Sequence, residues 1–320
     1  MLMSLKIIYL GTPDFAVAGL DILVKNNYNI VGVITAPDKP AGRGLQLNQS
    51  AVKKYAVENK LHVLQPTNLK DPDFLAEVKT LNADLQIVVA FRMMPEMLWS
   101  MPPLGTFNLH ASLLPQYRGA APINHAILNG EKETGVTTFF LKHQIDTGDV
   151  IFQQKVEIGA DDTAGILHDK LMAVGATLVL KTVQAIEANN VQPIPQANIA
   201  VEDIKHAPKI FREDCKIDWN ADAQTIHNLV RGLSPYPAAY TTLQLPDGKT
   251  LDIKIFQTKL DLSSHNKQVG TIQTDNKSYL YIYVSGGIIS ILSLQPATKR
   301  RMAINEFLAG NKIDSTYKFI

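Results

Sequence analysis

Continuous apolar runs alternate with stretches of helical periodicity through the first half of the chain. Lys6 to Gly11 (KIIYLG), Asn29 to Thr35 (NIVGVIT) and Leu85 to Ala90 (LQIVVA) read as buried strands, the last typical of a central parallel strand covered on both faces. Between the first two, TPDFAVAGLDILVKNN reads as a helix with Thr12 as N-cap and Pro13 at the first helical position. A connection of helix length makes those two strands parallel. Ala51 to Asn59 and Asp71 to Leu81 read as further helices, His62 to Gln65 as a short strand, and Phe107 to Ser112 as the next strand of the same sheet.

Past Pro115 the pattern predicts a helix at Ala121 to Leu128 and strands at Thr134 to Lys142 and Asp149 to Ile158. A long helix follows from about Thr163 to Glu187, capped by Asp162 or Thr163, with Ile166, Leu167, Leu171, Val174 and Leu178 at helical spacing. Asn189 to Pro208 loses periodicity and carries Pro193, Pro195 and Pro208, which marks a linker. Beyond it come a short helix around Ala221 to Gly232 and a hairpin turning at Pro246-Asp247-Gly248-Lys249. The short strands VGTIQTD, SYLYIYVSGG and IISILSLQPA then suggest a small OB-like β-barrel. The predicted fold is therefore α/β, a Rossmann-like, mostly parallel sheet over residues 1–189, a linker at 190–208 and a barrel at 209–320.

Composition adds little to that outline. At 320 residues, 46% hydrophobic and 19% charged, the chain is ordinary for a globular protein. Its first apolar run stops at Gly11, too short for a signal-peptide core, and no run is long enough for a transmembrane helix, so a cytoplasmic location with no membrane partner is expected. One cysteine, Cys215, excludes an intramolecular disulfide, and the eight histidines are never closer than 15 residues in sequence, so no metal is expected. Residues 1–205 carry 17 Lys and Arg against 20 Asp and Glu, hence −3, while 206–320 carry 14 against 10, hence +4. The second part is weakly basic, far short of a dedicated nucleic-acid arm.

The chemistry concentrates in FNLHASLLP, Phe107 to Pro115. Residues two apart on a strand point the same way, so Asn108 and His110 project together while Phe107 and Leu109 face the opposite side. An amide donor beside an imidazole suits acyl transfer, one holding a developing oxyanion and the other a proton. Taken alone, such a pair more often merely satisfies backbone groups at a strand end. Phe91 and Arg92 stand where the LQIVVA strand ends, and ligands of open parallel sheets bind beyond the carboxyl ends of strands. A lone Gly11 before TPDF is not a dinucleotide fingerprint, so no NAD is expected. The long loop from Ala36 to Ser50 sets Arg43 between two glycines, where it could approach a phosphate closely, or it is a plain surface excursion.

Together with the turn-rich Asp146-Thr147-Gly148-Asp149, these motifs resemble those of the methionyl-tRNA formyltransferase family, and the resemblance covers nearly the whole chain. GTPDFA, PDKPAGRG, HASLLPQYRGAAPI, ETGVT, DTGD, KIDW, RGLSPYPAA and LSLQPA follow in the family's order. The chain departs from many members in having Phe91-Arg92 for Tyr-Gly and Ala111 for Gly. The resemblance implies the formyltransferase fold and formyl transfer from 10-formyltetrahydrofolate to the α-amine of methionine on initiator tRNA. It implies a catalytic trio of Asn108, His110 and Asp146, a folate turn at Ser112, Leu113, Leu114 and Pro115, and a pterin pocket walled by Phe91, Arg92 and Ile145. It also implies tRNA contacts in the 36–50 loop at Lys39, Gly42 and Arg43, and a monomer. The alternative is a folate-dependent formyltransferase for a small-molecule amine.

Overall fold

The structure is a computed structural model that describes residues 5–41, 46–201 and 203–320. Two compact units make up the chain, and compactness does not follow chain order. One holds the residues up to Gly119 with Thr134–Glu157 and His168–His206, and the other holds Ala120–Glu133, Ile158–Leu167 and Ala207–Ile320.

The first unit is built on a seven-stranded sheet in the order Val150–Glu157, Glu133–Phe140, Thr106–His110, Leu85–Val89, Lys6–Gly11, Asn29–Ile34, Val63–Leu64. The last five are parallel, with Ile7 opposite Leu85 and Val88 opposite Asn108, and Glu133–Phe140 runs antiparallel to Thr106–His110. This is the mostly parallel sheet expected. Leu85–Val89 is buried at all five positions, as its unbroken apolar run requires. Ile8, Leu10, Ile34, Phe74, Val78 and Val88 form the core on one side.

Helices Ala51–Glu58 and Pro72–Thr80 are capped by Ser50 and Asp71, whose side chains accept backbone N–H groups of the first turn. The first helix differs from expectation. It spans Asp14–Lys25, and Pro13, not Thr12, holds the cap position with extended backbone (ψ 177°) and no side-chain cap bond. Proline's fixed φ suits the helix entry, and the Pro13 carbonyl accepts the first helical bond from Ala16. Within the 36–50 stretch, Lys39–Ala41 pairs antiparallel with Gln46–Asn48. Gly42 and Arg43 lie outside the described residues.

The second unit carries an antiparallel, barrel-like sheet ordered Ile272–Thr274, Leu280–Val284, Gly287–Pro296, Thr250–Asp261, Ala239–Gln244, Lys318–Phe319. The expected hairpin is present, with Leu243 opposite Leu251 and Gly248 at φ +83° in its turn. Helix Ala223–Leu233, capped by Asp222, buries Ile226, Val230 and Leu233 in the unit's core. Three of its polar residues, His227, Asn228 and Arg231, are buried too. Arg231 donates to Asn228 Oδ1 at 3.0 Å and to the Asp162 carbonyl at 3.2 Å, and His227 Nδ1 meets Thr258 Oγ1 at 2.9 Å. Among the described residues no helix is long and apolar enough to cross a membrane.

Candidate active site

Strand Thr106–His110 lies between a parallel and an antiparallel neighbour, which fixes its register from both sides. Phe107 and Leu109 are buried on one face, while Asn108 and His110 share the other. Among the described residues the Asn108 amide makes no hydrogen bond and is half-buried, so its donors remain available to a bound group.

His110 is only 7% exposed. Its Nε2 lies 2.9 Å from the Tyr117 carbonyl oxygen. A carbonyl only accepts, so Nε2 carries a proton, and Nδ1 is the nitrogen left for chemistry. Nδ1 faces Asp146 Oδ2 at 3.8 Å. That separation exceeds a direct hydrogen bond. The same Asp146 oxygen accepts the Gly119 N–H at 3.1 Å.

Asp146 sits at φ +54°, the left-handed region that side chains other than glycine's seldom occupy. Two residues on, Gly148 is obligatory for space, since a Cβ there would fall 1.6 Å from the Phe140 carbonyl oxygen. The turn is gripped from a distant segment. Gln196 Nε2 donates to the carbonyls of Asp146 at 2.9 Å and Gly148 at 2.8 Å, and its Oε1 accepts from Arg118.

The Ser112–Pro115 turn follows directly on the strand, with a cis bond between Leu114 and Pro115. Ser112 and Leu114 are buried, and Leu113 is partly so. The buried Thr137 hydroxyl spans the turn, donating to the Ser112 carbonyl at 2.6 Å and accepting from Leu114 N at 3.1 Å. Gln153 adds a bond to the Leu114 carbonyl at 2.7 Å.

The remaining expected positions are more dispersed. Phe91 is partly buried against the core, on the same apolar cluster as Leu141, which also packs on Leu114, Phe139 and Val150. Arg92 is exposed, donates to the Thr67 carbonyl at 3.0 Å and to that of Pro66, and lies over the Phe91 ring. Ile145 is 60% exposed and Lys39 is exposed. His110 and Asp146 are thus brought together, with Asn108 on the same strand and Ser112–Pro115 immediately after it. Thr137, Gln153 and Gln196 escaped the sequence reading. A polar residue in a strand or a linker gives no local sign of what it holds. Among the described residues no group of three or more His, Cys, Asp or Glu side chains could hold a metal ion.

The chain matches the formyl transferase family over residues 5–183 and that family's C-terminal domain over 209–312. It is 53% identical over 316 residues to a methionyl-tRNA formyltransferase of Bacteroides thetaiotaomicron, covering 98% of both chains. A methionyl-tRNA formyltransferase of Parabacteroides distasonis is 55% identical over 317 residues, again with 98% of both covered. Among solved structures, an N-formyltransferase from Helicobacter canadensis in complex with folinic acid and dTDP-3-aminofucose superposes with TM-score 0.64 at 23% identity, covering 90% of this chain and 98% of that one. HypX from Aquifex aeolicus in complex with tetrahydrofolic acid superposes with TM-score 0.63 at 18% identity, over 98% of this chain and 50% of that one. At those identities the likeness is one of fold.

Proposed function

The chain belongs to the methionyl-tRNA formyltransferases within the formyl transferase family, and from that membership we propose that it formylates the α-amino group of methionine on initiator tRNA, with 10-formyltetrahydrofolate as donor. The observation that carries this reading is full-length identity above 50% to proteins so named, across both domains. A small-molecule amine as acceptor is the weaker reading, because the sugar and amino-sugar N-formyltransferases superpose only at 24% identity or less.

The residues support the following chemistry. The neutral amine attacks the formyl carbon, a C–N bond forms, the bond from that carbon to folate N10 breaks, and N10 takes up a proton while the amine loses one. A free α-amino group titrates near pH ~8, so its deprotonation needs only modest help, and positioning with oxyanion stabilisation supplies most of the acceleration. Asn108 donates to the carbonyl oxygen as charge builds there. His110, anchored through Nε2 on Tyr117, offers Nδ1 for a second hydrogen bond or a proton. Asp146, within 4 Å of Nδ1 but not bonded to it, stabilises that proton directly or relays it through water.

Ser112, Leu113, Leu114 and Pro115 would form the turn on which folate lies, with Phe91, Arg92 and Ile145 lining the pterin side. The partly buried Leu113 and the exposed Ile145 suit a flat apolar ring. We assign catalysis to the 1–189 portion and tRNA docking to 209–320, where the excess of 14 basic over 10 acidic residues in 206–320 favours phosphate contacts. Lys39, Gly42 and Arg43 would meet the acceptor end of the tRNA. We also propose a cytoplasmic monomer.

The test is direct: purified protein, 10-formyltetrahydrofolate and methionylated initiator tRNA should yield formylmethionyl-tRNA. No product with demonstrably active substrates, or faster formylation of a nucleotide-linked amino sugar, removes this reading.

A further inference from the structure

We propose that Gln196, in the segment between the two sequence domains, is a positioning residue that sets the Asp146 carboxylate against His110; the inference rests on the reading of Asp146 as part of the reacting site. Gln196 is 5% exposed and opens the short 3-10 turn Gln196–Asn198. That turn follows a two-way backbone pairing of Ile194 with Val150, so the segment is tied to the sheet and not strung loosely beside it.

The amide uses all its hydrogen-bonding capacity. Both Nε2 hydrogens go to backbone carbonyls, Asp146 at 2.9 Å and Gly148 at 2.8 Å. Oε1 takes two donors from Arg118, Nε at 3.0 Å and a terminal nitrogen at 2.6 Å. Its orientation is unambiguous, because a guanidinium cannot accept and a carbonyl cannot donate. Glutamate could satisfy Arg118 but not the carbonyls. Methionine, of similar length, satisfies neither.

The bonds converge on one carboxylate from two directions. The Asp146 backbone is held at φ +54°, unfavourable for a residue with a Cβ, by a donor on its own carbonyl. On the other side, Arg118 precedes Gly119, whose N–H binds Asp146 Oδ2 at 3.1 Å. A single side chain therefore anchors both the aspartate and the Arg118–Gly119 segment that supplies its hydrogen bond. Release of either end lets Oδ2 move relative to Nδ1, across a gap of 3.8 Å where misplacement is costly to a proton-handling pair.

The experiment is a double-mutant cycle in the full chain: Gln196→Met and Gln196→Glu, each alone and with Asp146→Asn, assayed for both substrates. The two Gln196 variants share only loss of the Nε2 donor. Each is expected to lower kcat about tenfold or more with both KM values within about threefold, and to cost less than about twofold further once Asp146 is Asn. Independently of turnover, a crystal structure of Gln196→Glu should show Asp146 Oδ2 displaced from His110. A kcat within twofold of the parent, an undiminished loss in the Asp146→Asn background, or an unmoved carboxylate overturns the inference. Near-normal turnover of Asp146→Asn by itself overturns instead the reading of Asp146 on which the inference stands, so the two failures are told apart.

Discussion

His110 Nδ1 stands 3.8 Å from Asp146 Oδ2 while the other ring nitrogen is committed to the Tyr117 carbonyl at 2.9 Å. The imidazole is held in one tautomer by the backbone and left facing a carboxylate it does not touch. A pair so placed has room for one proton or one bridging donor between its partners. His110→Ala and Asp146→Asn should each lower kcat by about 100-fold or more, the usual scale for a lost proton-handling group, with thermal melting still cooperative. Asn108→Ala should do the same through the oxyanion, at about 100- to 1000-fold. Steady-state kinetics with both substrates checks all three, and near-normal turnover removes that residue from the mechanism.

Thr137 spans the Ser112–Pro115 turn with one hydroxyl, donating at one end and accepting at the other. Thr137→Val keeps the shape and leaves the buried Ser112 carbonyl and Leu114 N–H without that partner, a loss of about 1–3 kcal/mol for each group left unsatisfied. The KM for the folate donor should rise more than the KM for tRNA, read from initial rates with each substrate varied in turn. Equal rises would mean that the turn serves the two substrates alike.

At Gly148 there is no room for even a methyl group, because a Cβ would fall 1.6 Å from the Phe140 carbonyl oxygen. The obstacle is backbone and cannot swing aside. Gly148→Ala should therefore lower both stability, by about 1–3 kcal/mol or more, and kcat, because the displaced residue is two positions from Asp146. Chemical denaturation and turnover measured on the same preparation test the link; loss of stability with intact turnover would uncouple this turn from the reaction.

Burial first, and the neighbouring Arg231 second, hold the His227 imidazole below its ordinary value near 6.5, with Asp161 opposing. The unfolded chain therefore binds a proton that the folded one does not. Stability contributed by the neutral ring is complete above about pH 6.5 and declines as pH falls toward the lower folded value. Melting temperatures from pH 7.5 down to pH 5.5 should fall more steeply for the parent than for His227→Gln. Parallel curves would show that His227 does not carry this part of the acid sensitivity.

Arg43 stands between Gly42 and Gly44 in the sequence of the long 36–50 loop. Arg43→Ala should raise the KM for tRNA and flatten its salt dependence by roughly one phosphate contact, while leaving the folate KM alone. Unchanged tRNA kinetics would take the loop out of substrate recognition.

Periodicity and local chemistry, which depend on neighbours along the chain, were enough to read much of this protein. The unbroken apolar run at Leu85–Val89 marks a strand buried on both faces, and alternation in Phe107–His110 puts Asn108 and His110 together on one side. Pro246 to Lys249 announces its turn because Gly248 must take φ +83°. Motif order identified the family. What sequence could not determine were distances between residues far apart in the chain. His110 and Asp146 are separated by 36 positions, and only the pairing of Glu133–Phe140 against Thr106–His110 returns the chain to bring them within 4 Å. Thr137 reads as one more β-branched strand residue until that register sets its hydroxyl across the Ser112–Pro115 turn. Gln196 reads as linker, since three nearby prolines suppress any periodic signal, yet all four of its hydrogen bonds reach residues 48 to 78 positions away. Local propensity says where strands and turns lie; the carboxylate's place beside the imidazole is set by contacts that exist only once the sheet has formed.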